Sequence, residues 1–185
     1  MPNNSFLFNQ APRWHQHNFG LQRQLTAELQ SWLQETGSLT KRLRAIHGED
    51  FAVSVLFQGW RRAFIDESRL LEQPASDYQL VREVMLHNNH QPLVLARTIM
   101  PQATIEIAQR KLSHLGSRPL GEVIFAYRDL ELRKRQFSRV EPAIWAKQQQ
   151  ANNRIETATW GRRTVYAIHN QPLLVAEFFL PAALN

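Results

Sequence analysis

The sequence predicts an α+β domain with a mostly antiparallel six-stranded sheet carrying helices on one face. Three observations carry that expectation. Several segments alternate apolar and polar residues with the period of two that a half-buried strand shows. Four of the expected strands fall into what look like two copies of one hairpin: residues 82–101 read REVMLHNNHQPLVLARTIMP, and residues 162–181 read RRTVYAIHNQPLLVAEFFLP. Short stretches between and before the strands place apolar residues three and four apart, as helices do. Strands joined tightly, or through a single helix, favour antiparallel neighbours.

The elements follow in order. Residues 1–20 are polar, with scattered aromatics and no period, and form a poorly defined start to one domain spanning 1–185. From Leu21 the pattern is helical through Leu25, Leu29, Trp32 and Leu33, with Gly37 as a stop. Ser38 is placed to cap a second short helix through Leu43 and Ile46, ended by His47-Gly48. Two such helices ahead of the first strand suit a cover or flap, and packing onto the core fits the pattern equally well. Residues 51–60 (FAVSVLFQGW) alternate and are rich in β-branched and aromatic side chains, so they read as a strand. A polar loop with Pro74 follows at 72–77; strands at 78–86 and 93–100 flank an Asn-Asn-His-Gln-Pro turn. Residues 104–115 read as a helix with Gly116 just beyond it. Pro119-Leu120-Gly121 opens a short segment to Tyr127, and 130–137 (LELRKRQF) is a half-exposed strand. Residues 141–153 read as a short helix and loop with a solvated triple-glutamine end, and the last hairpin runs from 159 to 180.

Composition narrows the function classes. The chain has no cysteine, which removes disulfides, thiolate metal sites and a cysteine nucleophile. The N-terminus lacks the basic start and apolar run of a signal peptide, and Glu177 interrupts the best candidate for a membrane span. A cytoplasmic protein without stable membrane insertion is therefore expected. The net charge of +6 comes with 18 Arg against 4 Lys, a bias that suits bidentate binding of carboxylate or phosphate. No dinucleotide, P-loop, nucleophile-elbow or zincin motif occurs. His87 and His90 flank a turn without nearby carboxylates, and His15 and His17 are alike in this, so no metal site is expected. Arg133, Lys134 and Arg135 read as a solvated sheet face rather than a nucleic-acid patch. In Trp160-Gly161-Arg162-Arg163, the glycine suggests a bulge or a close backbone approach, and the paired arginines leave one on each face.

One charged position in each hairpin carries the functional reading. Arg97 and Glu177 are equivalent in the two copies, and each is the only ionisable residue of its second strand. Each stands in an apolar row, where an unpaired charge is costly. Two readings are open: a structural ion pair within the sheet, or a polar site in an apolar pocket where a small charged ligand meets both groups.

At this point the chain resembles the chorismate–pyruvate lyase family, whose members form 4-hydroxybenzoate for ubiquinone. The resemblance rests on Gly37-Ser38-Leu39-Thr40-Lys41-Arg42-Leu43, Val81-Arg82-Glu83, Leu95-Ala96-Arg97-Thr98 with Pro101, and Pro119-Leu120-Gly121. It continues through Trp160-Gly161-Arg162-Arg163 and Gln171-Pro172-Leu173-Leu174, on to Glu177 and Leu180-Pro181. It implies a six-stranded antiparallel sheet with helical flaps enclosing a ligand pocket. It further implies that Arg82 and the backbone at Leu39 hold the product carboxylate, and that the backbone at Leu120 and the side chain of Glu177 hold the ring hydroxyl. Arg97 is expected to face the departing pyruvyl carboxylate, and Glu177 to orient the hydroxyl or assist proton transfer. Chorismate is the implied substrate, with no cofactor, no metal, no nucleic acid and a monomeric state. The alternative is a non-catalytic domain of the same fold that senses an aromatic acid, as in some bacterial regulators. Fewer than fifty residues precede the first expected strand, which reads against a regulator.

Overall fold

The structure is a computed structural model that describes residues 4–16, 25–108 and 111–184. Six strands form one antiparallel sheet: β1 (Phe51–Arg62), β2 (Tyr78–Asn88), β3 (Gln91–Met100), β4 (Glu131–Val140), β5 (Thr159–Ile168) and β6 (Gln171–Phe179). Their order across the sheet is β1-β2-β3-β6-β5-β4, which places the two hairpins side by side through β3 and β6. Both hairpins turn on two residues with positive φ: Asn89 (44°) and His90 (67°) in one, His169 (46°) and Asn170 (67°) in the other. That is the backbone a two-residue turn needs to match the strand twist, and Asn and His tolerate it better than most side chains.

The helices are α1 (Ala27–Gln34), α2 (Leu39–His47), α3 (Ile65–Leu70), α4 (Gln102–Ile107), α5 (Leu120–Ile124) and α6 (Lys147–Asn152). Ser38 caps α2, its side chain accepting from the Lys41 N–H. Thr26 does the same for α1 through Leu29 N. The expected onset at Leu21 lies outside the described residues, as does His17. Between Ser38 and Leu43 the apolar stripe of α2 packs with Trp32 and Leu33 of α1 onto Val53, Val84, Val94 and Phe179 of the sheet. A second cluster on the same face joins Ile105, Leu112, Val123 and Ile124 to Leu80, Tyr166 and Leu173. The helix expected over 104–115 stops at Ile107, although Ile105, Ala108, Leu112 and Leu115 are all buried as its pattern requires. Further along, the Gly116 and Arg118 carbonyls accept from Arg82.

The opposite face is covered as well. Leu7, Phe8 and Trp145 pack there against Leu95 and Phe178, and α3 lies beside them, with Asp66 bonded to Arg163 of β5. The triple glutamine is not simply solvated, since Gln149 is 3% exposed. Gly161 makes a close approach rather than a bulge: a Cβ there would lie 2.5 Å from Phe178 Cδ1 and 3.0 Å from the Glu177 carbonyl oxygen. Phe178 is fully buried between Phe8 and Trp145 and has nowhere to retreat. Gly161→Ala is therefore expected to cost about 1–3 kcal/mol, the usual range for an overpacked core; urea unfolding of the variant against the parent measures it.

Candidate active site

On the helix-covered face the two hydrophobic clusters part around a narrow cavity of about 50 Å³. Val53, Val84, Ala96, Ile124, Phe125 and Val175 make its apolar walls. Polar groups enter from strands and helices alike: Arg82 from β2, Thr98 from β3, Tyr166 from β5, Glu177 from β6 and Thr40 from α2. Leu39 and Leu120, the first residues of α2 and α5, line it too. Their backbone N–H groups have no partner within their helices. The two helix starts meet over the cavity because Gly121 has no side chain: a Cβ there would come within 3.0 Å of Ser38 Oγ and 3.3 Å of Thr40 Oγ1. At the surface, Arg44 and Glu122 bridge the same two helices at 2.6 Å.

Arg82 is 2% exposed. Its Nη1 donates to Gln58 Oε1 at 3.0 Å and to the Gly116 carbonyl at 2.8 Å, and its Nη2 to the Arg118 carbonyl at 3.1 Å. All three acceptors are neutral, and no carboxylate pairs with Arg82 among the described residues. Burial lowers its pKa from the ordinary arginine value, yet a guanidinium stays protonated in a protein. The cavity wall therefore carries a positive charge that lacks a counter-ion, and an anion entering it gains charge-assisted hydrogen bonds.

Glu177 is matched already. Arg162 Nε donates to its Oε2 at 2.7 Å, while Arg162 Nη1 donates to the Trp32 and Glu35 carbonyls at 2.9 and 2.5 Å. Those carbonyls close the C-terminal end of α1, where a cation is favoured. Arg135 adds a second clasp, its Nη1 donating to the Glu35 carbonyl at 2.8 Å and its Nε to Thr164 Oγ1 at 3.0 Å. Arg135 was expected on a solvated sheet face; half of it serves as an anchor for the helical cover.

The structure brings Leu39, Arg82, Leu120 and Glu177 around this one cavity and leaves Arg97 out of it. Arg97 and Glu177 do not line one cavity in this structure, nor do they pair with each other. Hairpin β5–β6 pairs without interruption, so Arg162 faces Glu177. Hairpin β2–β3 shifts register between Leu86 and His87, with Leu93 as the extra residue, so Arg82 faces Thr98 instead of Arg97. One inserted residue moves every later side chain to the other face. Arg97 consequently points to the side away from the cavity. There its Nε and Nη2 each donate to Glu67 at 2.8 Å, and Nη1 donates to Glu83 at 2.7 Å. Glu83 also accepts from Ser5 Oγ at 2.5 Å and from the Phe6 N–H at 2.6 Å, and Glu67 accepts from the Phe64 N–H at 2.9 Å. Burial pulls the Arg97 pKa down, but Glu67 and Glu83 more than offset it and leave it raised.

Sequence reasoning passed over Tyr166, Thr40, Gln58, Glu67 and Ser5. Tyr166 had a usable signal, lying four residues beyond Arg162 on the same strand and hence on its face. Glu67 and Ser5 had none, because their partners are thirty or more residues away.

Fold and cavity together are those of an α+β protein with a cavity under its helical cover, and the unpaired charge on the cavity wall favours a small anion. The sheet architecture is shared with a GntR-family transcriptional regulator from Bacillus cereus, at a TM-score of 0.57 and 10% identity over 74% of this chain and 96% of that one. It is shared also with the C-terminal domain of the histidine utilization repressor from Pseudomonas syringae pv. tomato, at 0.54 and 10% over 73% and 94%. At such identity the likeness is one of fold alone. The family model described as chorismate lyase matches residues 10–184, and the chain belongs to that family. A Methylococcus capsulatus protein named "Probable chorismate pyruvate-lyase" is 45% identical over 157 residues, covering 85% of this chain and 97% of the relative. One of the same name from Thiobacillus denitrificans is 35% identical over 93% of this chain and 90% of the relative. No helix among the described residues is long and apolar enough to cross a membrane.

Proposed function

We propose that this chain is a chorismate pyruvate-lyase, eliminating pyruvate from chorismate to give 4-hydroxybenzoate, the aromatic acid that enters ubiquinone. The observation that carries the reading is Arg82: a buried guanidinium held only by neutral acceptors, on the wall of a cavity whose other charged group is the Arg162-matched Glu177. A ring carboxylate satisfies Arg82 and the backbone N–H of Leu39. The ring hydroxyl lies between Glu177 and the backbone N–H of Leu120.

In the reaction the ether bond from the ring to the enolpyruvyl oxygen breaks, and the neighbouring ring carbon gives up its proton. The electrons of that C–H bond complete the aromatic ring, and the proton ends on the methylene carbon of the departing group, which becomes pyruvate. Aromatisation supplies the driving force, so the protein's task is to hold the ring and stabilise charge as the ether breaks. Glu177 orients the hydroxyl on the carbon that loses its proton. Arg97 belongs on this reading to the scaffold behind the site. The chain needs no cofactor and acts as a cytoplasmic monomer without nucleic acid. The sensing-domain alternative draws on the fold shared with regulators, which at 10% identity says nothing about activity.

The test is to incubate purified protein with chorismate, without metal or cofactor, and to quantify both products by chromatography. Equimolar 4-hydroxybenzoate and pyruvate are expected; binding of chorismate with no turnover would overturn the lyase reading in favour of the sensor.

A further inference from the structure

Tyr166 lines the same cavity as Glu177 and is 5% exposed. Its ring is held edge-on by Phe125, another wall residue, with centroids 5.9 Å apart. A buried tyrosine hydroxyl needs hydrogen-bonding partners. Arg135, clamped by Thr164 and the end of α1, lies next to that hydroxyl, and its buried Nη2 makes no other hydrogen bond. A guanidinium has only N–H groups to offer, so toward Arg135 the phenol oxygen can only accept. Its own hydrogen stays available to donate into the cavity. Burial, and after it the charge of Glu177, raises the Tyr166 pKa and keeps the hydroxyl protonated near neutral pH. The cavity wall thus offers both an acceptor, Glu177, and a donor, Tyr166, within electrostatic reach of each other.

We infer that Tyr166 determines specificity for a para-hydroxylated ring, donating to the ligand's hydroxyl oxygen while Glu177 accepts from that hydroxyl, with Arg135 as the positioning residue behind it. This rests on the lyase reading and adds to it a residue that selects the ring hydroxyl rather than the carboxylate.

The experiment measures affinities of 4-hydroxybenzoate and benzoate by calorimetry for the parent protein and for Tyr166→Phe, which keeps the ring and loses only the hydroxyl. A loss of about three- to tenfold is expected for 4-hydroxybenzoate, the worth of one hydrogen bond, with benzoate unchanged. Arg135→Met, acting through Tyr166, is expected to lower the ratio of the two affinities in the same direction; a merely structural role would lower both alike. Equal losses for the two acids in Tyr166→Phe, or no loss for either, would overturn the inference while leaving the lyase reading standing. A parent protein that binds neither acid would likewise overturn the inference, while the lyase reading is decided separately by turnover of chorismate.

Discussion

Replacing Arg97 by methionine is expected to destabilise the protein by about 3–5 kcal/mol, because it strips two buried carboxylates of their shared counter-ion. Arg97, Glu67 and Glu83 are 1%, 5% and 0% exposed, so water cannot take the arginine's place. Much of the stability of an ordinary domain is at stake, about 5–15 kcal/mol in all. The same cluster binds three parts of the chain: β2 and β3 through Glu83 and Arg97, α3 through Glu67, and the N-terminal segment through Ser5 and Phe6. Losing it should free α3 and that segment first. Denaturant unfolding of Arg97→Met measures the effect, and adding Glu67→Gln to the variant is expected to regain part of the loss by removing one unpaired charge. Turnover of the remaining folded fraction should stay close to that of the parent. If instead Arg97→Met unfolded normally but had lost turnover, Arg97 would act on the substrate, and its placement behind the sheet would not describe its role.

Arg82→Met should show the reverse pattern. Its first effect is on the ligand: two charge-assisted bonds to a carboxylate, at about 1.5–3 kcal/mol each, disappear together. A fall of at least about a hundredfold in kcat/KM is expected, since about 3 kcal/mol corresponds to that ratio. 4-Hydroxybenzoate and benzoate should lose affinity equally, because both present the carboxylate, whereas phenol should be little affected. The variant also loses the bonds that draw the Gly116 and Arg118 carbonyls to the sheet, so a lower Tm is expected beside the kinetic loss. Preserved benzoate affinity in a folded Arg82→Met protein would show that the carboxylate binds elsewhere in the cavity.

Much of this molecule was legible along the chain. Alternation marked the strands at 51–60 and 78–86 to within a residue or two, since burial on one face imposes a period of two whatever the partner strand is. Ser38 announced the start of α2, because a cap is a bond to a backbone N–H three residues on. Trp160-Gly161-Arg162-Arg163 correctly sent one arginine to each face, because neighbouring residues in a strand point opposite ways.

Tertiary structure decided how those faces line up from strand to strand. Within an uninterrupted strand the alternation is local, but an extra residue at Leu93 reverses it for everything that follows. That bulge has no local mark: Leu93 is fully buried and reads as one more apolar strand residue. So the sequence alone identified Arg97 and Glu177 as charges that need partners, and the pairing of β2 with β3 determined that they would find different ones. Glu67 on α3 and Ser5 near the N-terminus complete the Arg97 cluster across separations of 30 and 78 residues in the chain. Contacts that long arise only when the sheet has brought the segments together, and no periodicity within a single segment can carry them.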